Sequence, residues 1–364
     1  MDLSPITDTL GDLPTAALMG LLVGIFFGVA AERSAFCLRA ATVEFAHGRL
    51  GPRMAVWLLA FSSAVIWVQA ARLQGYIDTD AARMMSVTGS ISGAIIGGLI
   101  FGAGMILARG CPGRLLVLAA TGNLRSILSG LLFAVTAQMT LHGWLSGVRT
   151  QLAQLWTTPD GRNIDLSAGL GLPEWGALLV GALCAALALF LAWRNRISAG
   201  ILIFGAGVGV TVAIGYFLTY SLSQVAFDPV SVTSVTFTGP SANTLMAMLV
   251  PFEGWSFDVG LVPGVFIGSF LAAWVAGVLR FQSFESAAQT RRAMVGAVMM
   301  GFGGMLAGGC SIGNGVSGTS VMALTAWIAL FSMWIGGMIT DRLVDQRREE
   351  GRDQPSPRSF KLHL

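Results

Sequence analysis

Long apolar segments alternate with short polar ones along almost the whole sequence. A helix needs about 17 to 25 predominantly apolar residues to cross a bilayer, and the sequence offers nine segments near that length. They lie at 14–31, 54–71, 91–108, 124–146, 174–193, 198–220, 259–279, 293–308 and 319–341. The pattern therefore predicts an all-α integral membrane protein with about nine transmembrane helices.

Composition supports a protein surrounded by lipid. Of the 364 residues, 54% are hydrophobic and only 11% are charged, which is too little charge to cover a surface that faces water. The 47 glycines fit the same class, because small residues allow membrane helices to approach closely. The first residues include Asp2, Asp8 and Asp12 but no Lys or Arg, unlike a secretory signal. We therefore expect them to remain in the mature protein.

Basic residues divide unequally between the two sides of the predicted bundle. If the N-terminus lies outside, every Lys and Arg except Arg72, Arg83, Arg149 and Arg162 falls on the inner side. Inner loops of membrane proteins carry such an excess of positive charge. We therefore expect an outer N-terminus and an inner C-terminus.

Two similar segments indicate an internal repeat. `GAGMILARGCPGR` (102–114) and `GGMLAGGCSIGNG` (303–315) both run from a glycine-spaced apolar helix into Gly-Cys, so that Gly110-Cys111 aligns with Gly309-Cys310. The third and eighth spans cross in opposite directions, as in the inverted repeats of many transporters. We expect a 4+1+4 arrangement in one membrane domain. Its parts are a first half at 14–146, a connecting span at 174–193, a second half at 198–341 and a cytoplasmic tail at 342–364.

Four segments interrupt apolar spans with Gly, Pro, Asn, Ser or Thr. They lie at 31–40, 108–123, 230–249 and 308–320. Non-helical backbone is tolerated at membrane depth only where protein buries it or where it lines a cavity. We therefore expect re-entrant segments, two in each half, that meet near the centre. Ordinary surface loops are the alternative.

Three of the four cysteines fall on these broken segments. Cys37, Cys111 and Cys310 each lie on one, whereas Cys184 lies among Ala and Leu inside a span and is expected to pack as a small apolar residue. A disulfide is less expected, because it would pair two of the three cysteines and leave the third unpaired. The sequence has no C-x-x-C, which argues against a thiol oxidoreductase.

Other chemistry has little support in the sequence. None of the three histidines, His47, His142 and His363, stands beside a cysteine, so we expect no metal site. We expect His142 to cap a helix or to lie at the membrane interface. No nucleotide-binding motif is present, and the basic residues divide by membrane side instead of lining a groove for nucleic acid. We expect no enzyme activity and no cofactor.

Four motifs in order, `RSAFCLRAA`, `GAGMILARGCPGR`, `FTGPSAN` and `GGCSIGNG`, resemble the YeeE/YedE family of bacterial inner-membrane sulfur transporters. The resemblance covers 15–345 and implies thiosulfate uptake by an hourglass-shaped α-helical protein with a periplasmic N-terminus. It also implies that three cysteines pass the substrate along a central pathway, and by motif these are Cys37, Cys111 and Cys310. A small cytosolic sulfur-carrier protein is a further implied partner. The charged tail after 341 is either its contact or a solvated terminus.

The physical properties of thiosulfate agree with that pathway. A dianion inside a membrane needs compensation, and the helix starts that follow broken segments supply it through backbone N–H groups. We expect neutral thiols, because a thiolate would repel the anion. Arg109 either attracts the substrate or reaches toward the membrane surface. Further candidate pathway residues are Gly110, Gly309, Asn314, Thr238 and Asn243.

Two other functions remain open at this point. One is transport of a different sulfur species or of a selenium species. The other is a membrane sulfurtransferase that takes sulfane sulfur onto a cysteine as a persulfide.

Overall fold

The computed structural model describes residues 7, 9–250, 254–282 and 287–344. These residues form α-helices joined by turns and short extended segments, with isolated bridges but no β-strands in the part described. The predicted all-α class is therefore confirmed. The predicted cytoplasmic tail lies outside the described residues from position 345 onward.

The first part of the chain contains seven long or short helices and one single-turn helix. They are α1 (Asp12–Ser34), α2 (Leu38–Ala46), α3 (Pro52–Leu73), α4 (Arg83–Ser86), α5 (Ile91–Leu107), α6 (Pro112–Ala120), α7 (Leu124–Leu141) and α8 (Ser146–Gln154). A connecting region follows, with a 3-10 turn (Pro159–Gly161), α9 (Leu166–Gly169) and α10 (Gly176–Arg194). The last part consists of α11 (Ala199–Ser223), α12 (Thr238–Leu249), α13 (Phe257–Val275), α14 (Ala287–Leu306), a π-helical turn (Gly313–Gly318) and α15 (Leu324–Val344).

Eight helical segments in the described part are long and apolar enough to cross a membrane. They coincide with eight of the nine predicted spans. Two of them, Asp12–Ala46 and Ile91–Ala120, include a long helix, a break and a short helix. The remaining predicted span, 293–308, falls within α14. That helix has 20 residues but is not among the eight, since it begins with the polar run `AAQTRR`.

Local sequence explains where several helices begin. Pro52 and Pro112 stand at the starts of α3 and α6, where the absent proline N–H is not needed for a helical hydrogen bond. The side chains of Ser90 and Asn123 accept the backbone N–H three residues further on and so cap α5 and α7.

Glycines allow α1 and α13 to pack in backbone contact. Gly20, Gly24 and Gly28 line one helix, and Gly260, Gly264 and Gly268 line the other. A Cβ atom added at Gly24 would lie 2.4 Å from the carbonyl oxygen of Leu261. Such contacts are what small residues at four-residue spacing permit in membrane helices.

A second glycine contact joins α5 to α14, which run antiparallel. A Cβ at Gly97 would lie 2.6 Å from the carbonyl oxygen of Gly303, and a Cβ at Gly104 would lie 2.6 Å from that of Gly296. Other packed pairs are α5 with α15, α7 with α14, α3 with α11, α1 with α11, and α10 with α3. Fully buried aromatic side chains, Phe27, Phe101 and Phe237 among them, fill the centre around the broken segments.

Candidate functional site

Three helices end in the same way, in a left-handed residue that is followed two positions later by a cysteine. The left-handed residues are Ala35 (φ 50°), Arg109 (φ 58°) and Gly308 (φ 78°). The cysteines that follow are Cys37, Cys111 and Cys310. A left-handed residue stops a helix, so the next helix starts in a new direction at or near each cysteine.

The sulfur of each cysteine lies near the backbone N–H of the residue three positions later. Gly313 donates its N–H to Cys310 Sγ at 3.3 Å. The N–H groups of Ala40 and Arg114 lie near the sulfurs of the other two cysteines, without completing a capping hydrogen bond. Each sulfur therefore lies at the partly positive start of a helical turn.

The structure brings the three cysteines together. The thiols of Cys37 and Cys111 face each other, and Ser311 Oγ lies beside Cys111. Cys310 precedes Ser311 in the chain, and its sulfur lies 3.9 Å from Thr236 Oγ1. All four cysteines of the protein are free; Cys111 and Cys310 are 1% and 0% exposed, and Cys37 is half-buried. Cys37, Cys111 and Cys310 thus lie on broken segments that contact one another, and we call their three thiols the thiol row.

Two glycines allow the broken segments to interlock at this row. A Cβ at Gly113 would lie 2.5 Å from Ile312 Cδ1 and 3.1 Å from Phe237 Cε2. A Cβ at Gly313 would overlap the hydroxyl of Thr236. The segment before α12 therefore packs between both cysteine turns, and its Phe237 ring also packs on Phe27 at 5.5 Å between centroids.

Asn314 holds the turn that carries Cys310. Its fully buried side chain donates from Nδ2 to the carbonyl oxygens of Ala307 (3.1 Å) and Gly309 (2.8 Å). Its Oδ1 has no hydrogen-bond partner among the described residues. Gly110 and Gly309 are both buried, and a Cβ at either would press on a neighbouring side chain at 3.2 Å. These residues shape the turns beside the cysteines.

The remaining predicted pathway residues have different positions. Arg109 is half-buried and ends its helix through its left-handed backbone. Thr238 begins α12, is fully buried, and has an Oγ1 without a partner in the described part of the chain. Asn243 lies further along α12, where its Nδ2 donates to Asp258 Oδ2 at 2.9 Å. Asn243 lines a cavity that contains none of the cysteines.

The row ends near charged groups on one side. The ends of α1 and α5 face the side of the bundle opposite to the start of α1, whereas the end of the antiparallel α14 lies beside the start of α5. Near the ends of α1 and α5, Glu32 Oε2 accepts from Arg114 Nη1 at 3.3 Å, beside Cys37 and Cys111. Arg114 stands in one quoted cysteine motif and Glu32 directly precedes another, but the sequence alone does not indicate that they form an ion pair.

On the side where α1 starts, which we call the N-terminal face, three adjoining cavities approach Cys310. Their volumes are about 280, 10 and 150 Å³. The smallest is a constriction whose lining includes Tyr216, Thr236, Gly313 and Ser317. The Tyr216 hydroxyl donates to the Ser317 carbonyl oxygen at 3.2 Å across it. The smallest cavity thus lies beside the contact between Thr236 and Cys310.

Sequence reasoning missed Thr236, Ser311 and Arg83, which lines all three cavities. Cys184 lies half-buried in α10 and packs against the core, as predicted. His142 caps the end of α7, one of the two predicted roles. The described residues contain no group of three side chains that could hold a metal ion. A surface cavity of about 680 Å³ beside Arg194 and Arg196 contains none of the cysteines.

Known proteins are similar to this chain over most of its length. The sequence pattern of the sulphur transport family matches residues 33–339. The thiosulfate transporter TsuA of Escherichia coli strain K12 is 26% identical over 344 residues, which cover 88% of this chain and 92% of that protein. The thiosulfate transporter TsuA of Spirochaeta thermophila is 27% identical over 344 residues, which cover 87% of this chain and 96% of that protein.

The family match includes all three cysteine turns and confirms the resemblance of the motifs. The family and both relatives are transporters by name, which indicates a transporter and not an enzyme. With eight described segments able to cross a membrane, the chain is a multi-pass membrane protein that belongs to the sulphur transport (YeeE/YedE) family.

Proposed function

We propose that this protein takes up thiosulfate across the bacterial inner membrane, and that the anion moves along Cys310, Cys111 and Cys37. The observation that carries the proposal is that three free cysteines each lie beside a backbone N–H group that follows a break in a helix. The two similar proteins named thiosulfate transporters support the choice of substrate. The N-terminal face is the outer side in this proposal.

The chemistry of the row suits transient contact. A dianion leaves its water shell on entering the protein, and backbone N–H groups at helix starts offer fixed positive potential in return. A neutral thiol is a weak hydrogen-bond donor, so each contact is weak enough for the ion to move on. Conduction requires sites that bind but also release.

We also propose the inverted repeat, with halves at 14–146 and 198–341 and a connecting span at 174–193. Packing supports it. If α1, α3, α5 and α7 correspond to α11, α13, α14 and α15, the set of packed pairs among these eight helices is unchanged when the halves are exchanged. The glycine contacts between α5 and α14 are also unchanged by this exchange. The sequence repeat equates Gly97 with Gly296 and Gly104 with Gly303. Exchanging the halves therefore converts the contact of Gly97 with Gly303 into the contact of Gly296 with Gly104.

The repeat also assigns a counterpart to Cys37. Thr236 stands 74 positions before Cys310, and Cys37 stands equally far before Cys111. Cys37 faces Cys111 as Thr236 faces Cys310. We therefore add Thr236 to the pathway, as its position nearest the N-terminal face.

Uptake of radiolabelled thiosulfate into proteoliposomes tests the proposal. Replacing Cys37, Cys111 or Cys310 by Ala removes one contact, and we expect uptake to fall about tenfold or more. Cys184→Ala is the matched control and should leave uptake unchanged. Normal uptake by all three row variants would refute passage along the thiols.

The same preparation separates the alternatives. Competition by selenite, sulfite and sulfate tests whether another anion is preferred. A persulfide on Cys111 or Cys310 after incubation with thiosulfate, detected by mass spectrometry, would favour a sulfurtransferase. The hypothesis of a small cytosolic sulfur-carrier partner rests on the family resemblance, and its candidate contact after position 344 lies outside the described residues.

A further inference from the structure

One side chain joins the three cavities on the N-terminal face. Arg83 contributes to the lining of the 280 Å³ cavity, of the 10 Å³ constriction and of the 150 Å³ cavity. No other residue lines all three. An ion that approaches Cys310 through these cavities therefore passes Arg83.

The fold fixes the backbone of Arg83 relative to the thiol row. The Arg83 N–H donates to the Val232 carbonyl oxygen at 2.8 Å, and Ala82 forms a parallel bridge with Val232. Four residues after Val232 comes Thr236, whose hydroxyl lies at Cys310. The extended segment at 232–236 thus positions both Arg83 and the contact to Cys310.

The guanidinium is available to a ligand. Its charge acts on Asp258 and Tyr216, but within the part of the chain that the structure describes no carboxylate lies within 4 Å of it and no side-chain hydrogen bond engages it. An arginine offers a planar fork of N–H donors that fits the oxygens of an oxyanion.

The two larger cavities differ in charge. Asp258 lines the 280 Å³ cavity and would repel an anion. The 150 Å³ cavity has no acidic residue in its lining and presents Thr88, Asn163 and Gly308 instead. Gly308 is exposed, and a Cβ placed there would meet open space. This cavity therefore leads directly to the turn of Cys310.

We propose that Arg83 is the anion-binding residue of an outer site in the 150 Å³ cavity, which holds a divalent oxyanion of sulfur before it reaches Cys310. Asp258 keeps the anion out of the larger cavity. The proposal rests on the proposed function for its direction of transport. It adds a binding site that is separate from the thiols, and the affinity of this site sets the KM for uptake.

Uptake kinetics of the full chain in proteoliposomes test this site. Arg83→Gln removes a charge-assisted hydrogen bond, so we expect the KM for thiosulfate to rise about ten- to hundredfold, with a smaller change in maximal rate. Arg83→Lys keeps the charge without the fork and should give an intermediate KM. Arg162→Gln is the matched control, because it removes one positive charge from an exposed side chain of the same face that lines none of the three cavities.

An unchanged KM in Arg83→Gln, or an equal rise in Arg162→Gln, would overturn the site. If Arg83→Gln does not yield folded protein, Arg83→Lys decides, and a KM equal to that of the wild type counts against the proposal. Binding of labelled thiosulfate to purified protein in detergent separates the two hypotheses. Loss of binding in Arg83→Gln alongside normal uptake in the cysteine variants would uphold the outer site while refuting the thiol row.

Discussion

The interlock between Gly113 and Ile312 gives a prediction that tests the centre of the structure. In Gly113→Ala the new methyl group would lie 2.5 Å from Ile312 Cδ1, closer than two carbon atoms can approach. Gly113 has an ordinary helical backbone, so the change acts through packing and not through backbone strain. Overpacking of this kind typically destabilises a protein by about 1–3 kcal/mol.

A second substitution removes Ile312 Cδ1, the atom that the new methyl group would overlap. Ile312→Val deletes Cδ1 and alone should destabilise the protein by about 0.5–1.5 kcal/mol. In the double variant the added methyl group fills the space of the deleted one. We expect it to be more stable than the sum of the single effects by about 1 kcal/mol or more, within the range of coupling between residues in contact.

Thermal unfolding of the four proteins in one detergent measures this coupling. Thiosulfate uptake, recorded in parallel, should fall in Gly113→Ala and recover in the double variant. Ala119→Gly on the same short helix controls for the helix itself. Additive effects of the two substitutions, or a Gly113→Ala protein as stable as the wild type, would show that the two cysteine turns do not pack as described.

Two further predictions concern stability. Asn314→Ala leaves the buried carbonyl oxygens of Ala307 and Gly309 without their donor, so we expect the free energy of unfolding to fall by about 2–5 kcal/mol. An unchanged unfolding temperature would contradict the role of Asn314 in the turn. In Gly24→Ala the new methyl group would overlap the Leu261 carbonyl oxygen and push α1 away from α13, and we expect the free energy of unfolding to fall by about 2 kcal/mol or more. Gly130→Ala should be tolerated, because a Cβ there meets nothing within 4 Å.

Hydrophobic pattern predicted much of the fold because it reports how each segment partitions into lipid. It located eight segments that the described part of the structure shows as helices long and apolar enough to cross a membrane. It is less informative for α14, whose polar start lowers the mean hydropathy of the helix although its glycine-lined part packs along α5. Local signals also located the helix breaks at the cysteines, since Gly, Pro and Asn act on the backbone near them in sequence.

Contacts between distant segments could not be predicted in this way. Arg83 entered the sequence argument only as an outer charge, and its place at three cavities depends on a backbone bond to Val232. Thr236 lies directly before the motif `FTGPSAN`, which contains the selected residues Thr238 and Asn243. Which of the three faces a cysteine depends on how the extended segment enters α12, and Asn243 is directed to Asp258 instead.

In the proposed repeat, Thr236 occupies in the second half the place that Cys37 occupies in the first, so the two ends of the proposed path differ chemically. An oxygen atom lines the end toward the N-terminal face, and polarizable sulfur atoms line the rest. A thiosulfate ion is unequal in the same sense, with hard oxygens and one soft terminal sulfur. The path can therefore distinguish the two ends of its ligand by atom type, whereas an ion made of oxygen alone outside its central atom has no soft end to present. In the proposed repeat, the hydroxyl of Thr236 is thus what makes one end of the path different from the other.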